Sequence, residues 1–152
     1  MAARTLKNAY VVAILVGLFV LITIFWHSPV LYPVKVFTVI LHELGHGLAA
    51  ILTGGRMVRI EISPQIGGVC YTQGGLRLIV LSAGYLGSML FGCLMMLIAA
   101  RTDFDRHLST FVGCALVVLV FVSIRSFFGV LFGLAFGVAM ILDGPFCPKG
   151  RQ

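Results

Sequence analysis

The sequence predicts an all-α polytopic membrane protein, with four to five transmembrane helices and a small β-hairpin between the second and the third. Three observations carry this prediction. Mean hydropathy is +1.09 and only 11% of the 152 residues are charged, too little polar material to cover a water-exposed surface. The apolar residues gather in runs close to the roughly 20 residues that a helix needs to cross a hydrocarbon core about 30 Å thick. One stretch between two such runs changes its period, from continuously apolar to alternating.

The first span is read over residues 9–26. Arg4 and Lys7 ahead of it resemble the start of a signal peptide, but the run is long for one, and His27-Ser28-Pro29 offers no small-x-small cleavage site. It is therefore read as a retained span. Pro29 and Pro33 break the helix, and Trp26 and Tyr32 suit a headgroup interface. The second span covers 36–53 and stops at Gly54-Gly55. The hairpin follows over about 57–72: Val58, Ile60 and Ile62 alternate with Arg59, Glu61 and Ser63, Pro64 to Gly68 is turn chemistry, and Val69 to Thr72 returns. The third span is 78–100, closed by the polar connection from Arg101 to His107. From Thr110 to Leu142 the chain is nearly continuously apolar, which as one helix would be about 50 Å long. Two spans, 110–124 and 126–142, parted at Arg125-Ser126, fit the bilayer better. Gly84, Ser88 and Gly92, and again Gly129, Gly133 and Gly137, form four-residue stripes that let helices approach closely in lipid. These glycines are read as packing residues.

The net charge of +6 is carried by Lys and Arg standing singly at the ends of apolar runs. That is the pattern of helix-end anchors, so the bilayer is the expected partner and nucleic acid is not. Basic residues divide evenly between the two sides and set no orientation. Cys70, Cys93, Cys114 and Cys147 contain no Cys-x-x-Cys pair and read as small core residues.

The chemistry lies in His42-Glu43-Leu44-Gly45-His46. Residues four apart share a helix face, so His42 and His46 can offer imidazole nitrogens to one metal ion. Glu43 lies beside that face, where a glutamate can move the proton of an attacking water. Imidazole suits zinc, and a catalytic zinc takes three protein ligands with one position open. Ionisable groups within an apolar span cost about 2.5 to 3.5 kcal/mol each, and a bound Zn2+ ion in a wet cavity would offset that cost. A proton relay or buried structural histidines are the alternatives; two ligands at this spacing on one helix cannot take opposite faces of a haem.

A third ligand must come from Glu61, Asp103, Asp105, Asp143, His27 or His107. With five spans, all but Glu61 fall at the face where the second span begins, about 10 Å from His42. Asp143, at the junction with the last span, is the candidate chosen, against its reading as an ordinary Asp-Gly turn.

Leu41 to Ala49, followed by Thr53-Gly54-Gly55-Arg56, resembles the site-2 protease family of intramembrane zinc metallopeptidases, in particular its short branch. Ile60 to Pro64 with Gly67-Gly68, and Ser82-Ala83-Gly84-Tyr85-Leu86-Gly87-Ser88, resemble that branch as well. The chain is read as a single membrane-embedded metalloprotease-like domain over 1–152, and the resemblance, which runs from about Tyr32 to Gly137, implies that His42 and His46 bind one zinc and Glu43 activates water. It also implies that the hairpin, through Ile60 and Ile62, docks an unwound substrate by strand addition. Leu142-Asp143-Gly144 matches the tripeptide from which such proteases draw their third ligand, but no Asn-Pro element precedes it. The expected function is zinc-dependent endoproteolysis of membrane-embedded or membrane-adjacent proteins by a multi-pass integral membrane protein, with a homo-oligomer left open. The rival readings are a catalytically silent relative that binds or escorts membrane proteins, and a transporter or channel component. The last predicts more intramembrane polar groups than the other spans show.

Overall fold

The computed structural model describes residues 2–101 and 105–146, so Asp103 and Cys147 lie outside the described residues. The chain divides into two compact units, Met1–Val34 and Lys35–Gln152. The first holds helix α1 (Ala2–Ile24) and one 3-10 turn, Pro29–Leu31. Ser28 caps that turn by accepting the Val30 N–H on its hydroxyl, and Pro29 sits at the start, where a missing N–H leaves no bond unmade.

Helix α2 (Tyr32–Leu52) runs on into the second unit and ends at Gly54, whose φ of 84° supplies the left-handed residue that stops a helix. Strands β1 (Arg56–Ser63) and β2 (Gly67–Gln73) pair antiparallel, with Ile60 opposite Cys70 and Ile62 opposite Gly68. The alternation expected for β1 holds at Ile60 and Ile62, which are buried, but fails at Val58, which is exposed. The pairing slips between Met57 and Arg59, and this bulge turns Val58 off the buried face. Thr53 Oγ1 accepts the Leu76 N–H at 3.0 Å, tying the end of α2 to the start of helix α3 (Arg77–Arg101).

Helices α4 (Asp105–Val122) and α5 (Phe127–Phe146) pack closely through glycine, as the spacing of Gly129, Gly133 and Gly137 suggested. A Cβ on Gly137 would lie 2.9 Å from Val117 Cγ2, and one on Gly113 would lie 2.6 Å from the Gly137 carbonyl. The stripe expected on α3 is different. Gly92 faces open space, and the close approach is made by Gly84 and Gly87 against Gly45 of α2. The break at Arg125-Ser126 is more than a turn. Ile60 N–H donates to Ser123 O at 2.8 Å, Arg125 N–H donates to Ile60 O at 3.0 Å, and Ser126 Oγ accepts the Ile62 N–H at 2.8 Å. The α4–α5 connection thus lies along the outer edge of β1 and fixes the hairpin to the helices. Val36, Ile40, Ile60, Ile62, Val80, Leu116, Val120 and Ile124 are the larger apolar side chains buried among the described residues of this unit.

Two helical stretches, Pro29–Leu52 and Arg77–Ala99, are long and apolar enough to cross a membrane. Three further apolar helices, Val12–Ile24, His107–Val122 and Phe127–Asp143, are shorter. The apolar side chains of α3 are mostly uncovered, with Leu78 at 85% and Tyr85 at 80% exposure. Such a surface is costly in water and costs nothing against lipid.

Candidate metal and catalytic centre

Every helical step turns the side chain by about 100°, so neighbours in the motif face different parts of the structure. His42 and His46 face α3. Their Nε2 atoms lie 3.1 Å apart, with ring centroids at 4.8 Å and planes at 82°. The Val80 carbonyl stands 2.6 Å from His46 Nδ1. A carbonyl can only accept, so Nδ1 carries the proton and the lone pair of Nε2 is left to a ligand. The edge of His42 meets the Tyr85 ring, with centroids 4.6 Å apart.

Both Nε2 atoms converge over Gly84. A Cβ built there would overlap both nitrogens and lie 2.6 Å from His42 Cε1. The space the nitrogens share is therefore one that a side chain would fill. Two nitrogens each at 2.0 to 2.1 Å from a tetrahedral zinc stand about 3.3 Å apart, close to the separation found here. The donor types, their convergence and the locked tautomer all fit zinc. Gly45 explains how α3 comes so near: a Cβ on it would be 2.5 Å from the Ala83 carbonyl.

Glu43 is buried and its side chain lies against β2. The Cys70 backbone N–H is turned towards its carboxylate. A Cβ on Gly68 would lie 2.7 Å from Glu43 Cγ and 2.8 Å from Oε1. Gly47, one turn further along, makes room for Met57, whose Cγ would lie 3.0 Å from a Cβ there.

The other expected site residues are not gathered here. Among the described residues no group of three or more His, Cys, Asp or Glu side chains is arranged to hold a metal ion. Asp143 is exposed in the last turn of α5. Helix α5 runs antiparallel to α2: Phe136 packs on Phe37 at 5.4 Å, while Gly129 lies against Ile62, the partner of the Gly68 that touches Glu43. Asp143 is seven residues beyond Phe136 and His42 five beyond Phe37, so the two lie about 18 Å apart along the bundle. Glu61 is held on the outer face of the hairpin by Arg59 at 2.8 Å, and Arg59 covers the Tyr71 ring at 4.2 Å. His27 and His107 are exposed. The side chains of Ile60 and Ile62 are 0% and 3% exposed, and the Ile60 N–H and carbonyl and the Ile62 N–H are bonded to 123–126.

Gly84, Gly68, the Val80 carbonyl and the Cys70 amide shape the centre without being evident as site residues in the sequence. Two of them are backbone groups that any side chain could carry. Gly84 was visible only as a packing position and Gly68 only as part of a turn.

A family model described as Peptidase M50B-like matches residues 12–150. The chain belongs to that family. The match takes in the histidine pair, the hairpin and α3 through α5, and it bears out the resemblance to the site-2 proteases. A membrane metallopeptidase-type protein is what this membership supports. No curated protein and no solved structure matches the chain.

Proposed function

We propose that this protein is a zinc-dependent intramembrane endopeptidase that hydrolyses peptide bonds of membrane-embedded or membrane-adjacent proteins. The convergence of His42 and His46 Nε2 over Gly84, with His46 turned by the Val80 carbonyl, is the observation that carries the reading. Zinc bound by the pair would polarise the scissile carbonyl and acidify water. Glu43, the next residue on the helix, takes the proton of the attacking water and passes it to the leaving amine. Covering by α3 and the hairpin limits the water that reaches the site, and a helical substrate must unwind to present its carbonyl. In this reading all five apolar helices cross the bilayer as one membrane-embedded domain. The uncovered apolar face of α3 supports that, and the expected partners are lipid and membrane-protein substrates.

Asp143 is the third ligand that the family tripeptide suggests, and bringing it to the pair requires α5 to move along α2. The two-ligand arrangement at rest favours a second reading, a protease-like protein that binds or escorts membrane proteins without cutting them. Zinc stoichiometry and cleavage separate the two. Purified full-length protein should hold one zinc that is lost in the His42→Ala, His46→Ala double variant. Glu43→Gln should keep the zinc and lose cleavage of a membrane substrate by at least about 100-fold. Zinc without cleavage by the wild-type protein, tested against the membrane proteins of its own host, would leave the second reading standing and remove the first.

A further inference from the structure

We propose that strand β2 is the positioning element for the base: the Cys70 N–H holds the Glu43 carboxylate, and the absent side chain of Gly68 lets that carboxylate reach the strand. The inference rests on the reading of Glu43 as the proton-transfer group. Ladder parity supplies the donor. Ile60 turns its N–H and carbonyl outward, to Ser123 and Arg125, so its partner Cys70 likewise turns its own N–H away from β1. That N–H has no partner in the ladder, and the Glu43 carboxylate is the acceptor towards which it turns. Gly68, two residues back, presents the same side of the strand to α2. A Cβ there would lie 2.7 Å from Glu43 Cγ, 2.8 Å from Oε1 and 2.9 Å from Val39 Cγ1, atoms of two side chains on α2.

The adjacent Gly67 has nothing within 4 Å of the same construction. Of the pair, only Gly68 serves the base. Anchoring one carboxylate oxygen on a backbone donor fixes the direction of the other, and a carboxylate has acceptor capacity for both tasks. Displacing a reacting group by about 1 Å can cost on the order of 100-fold in rate, which sets the effect expected of a methyl group at Gly68.

The test has two arms on full-length protein in micelles. Hydrogen exchange of the Cys70 amide, measured without zinc, should be about tenfold faster in Glu43→Ala than in wild type, since a hydrogen bond to a charged group is lost. Gly68→Ala should show the same acceleration and Gly67→Ala none. In zinc-loaded protein Gly68→Ala should keep metal stoichiometry and KM while kcat falls about 100-fold, with Gly67→Ala unchanged. Equal exchange at Cys70 in wild type and Glu43→Ala overturns the proposal, as does full kcat in Gly68→Ala. Should Gly68→Ala fail to fold, the Glu43→Ala comparison still decides. A wild-type protein that cuts nothing but shows the exchange differences keeps the contact and removes the enzymatic reading.

Discussion

Replacing Gly84 by alanine tests the metal centre more sharply than replacing a ligand, because it changes no donor. A Cβ at this position would come within 2.6 Å of His42 Cε1 and overlap both Nε2 atoms, where ordinary contact begins near 3.4 Å. Each imidazole must therefore move by about 1 Å, several times the roughly 0.2 Å tolerance of a metal–ligand bond. Helix α3 cannot simply back away. Its Ala83 carbonyl and Gly87 are seated against Gly45, and its Val80 carbonyl is bonded to His46. The imidazoles must swing instead, which breaks the bond that sets the His46 tautomer. Losses of this kind lower zinc affinity by about 10- to 100-fold, or about 1.4 to 2.7 kcal/mol. Competition with a chromogenic chelator measures it, with far-UV circular dichroism as the check on folding. Gly92→Ala, on the same helix with nothing within 4 Å, should bind zinc as wild type does. Unchanged zinc affinity in a folded Gly84→Ala protein would show that the pair does not bind metal over α3, and the assignment of the centre would fall.

Other outcomes follow from the same geometry. Asp143→Asn should leave the zinc affinity of the resting protein unchanged, since Asp143 lies about 18 Å along the bundle from His42; loss of zinc in the chelator assay would contradict the packing of α5 on α2. Ile66 occupies the hairpin turn at φ 60°, a left-handed conformation that a β-branched residue adopts with strain. Ile66→Gly should raise the melting temperature in detergent, by an amount corresponding to about 1 kcal/mol, and a fall would refute the strain. Burial, and after it the Glu43 carboxylate, pushes the Cys70 thiol up from 9.0 to about 11. The folded chain then holds this proton where the unfolded chain gives it up, so the contribution to stability is full below pH 9.0 and is lost as pH rises towards about 11. Iodoacetamide at pH 9.0 should label Cys70 more slowly in the folded protein than in the denatured one, and equal rates would count against its burial.

Much of this was legible in the chain because apolar helices need only apolar residues in sufficient number. The runs ending near Trp26, Thr53, Ala100, Ile124 and Leu142 all lie in helices or at their ends. The hairpin was legible from Ile60 and Ile62, whose alternation reflects a buried strand face. What escaped was set by contacts distant in sequence. The bulge at Val58 depends on how β1 meets β2, and the closure of the β1 edge depends on Ser123, Arg125 and Ser126, more than sixty residues away. The same closure occupies the outward backbone groups of Ile60 and the N–H of Ile62. Gly84 and Gly92 look alike in sequence, yet one lies under the histidines and the other faces open space. Spacing along one helix cannot tell them apart, because it carries no information about the crossing point of a second helix.

The placement of Glu43 explains why a bundle of apolar helices carries a hairpin at this point. A buried carboxylate needs a donor, and in lipid every helical N–H beyond the first turn is already committed to its own helix. The middle of α3 or α5 therefore cannot supply one from its backbone. A strand can, because alternate residues of a two-stranded ladder turn their N–H groups away from the partner strand. Cys70 is such a residue, and the α4–α5 connection satisfies the corresponding groups of β1 on the opposite edge. The helical step of about 100° then divides the motif between two supports. His42 and His46 rest on a glycine of a helix, where only space is needed, while Glu43 rests on a glycine and an amide of a strand, where space and a hydrogen-bond donor are both required.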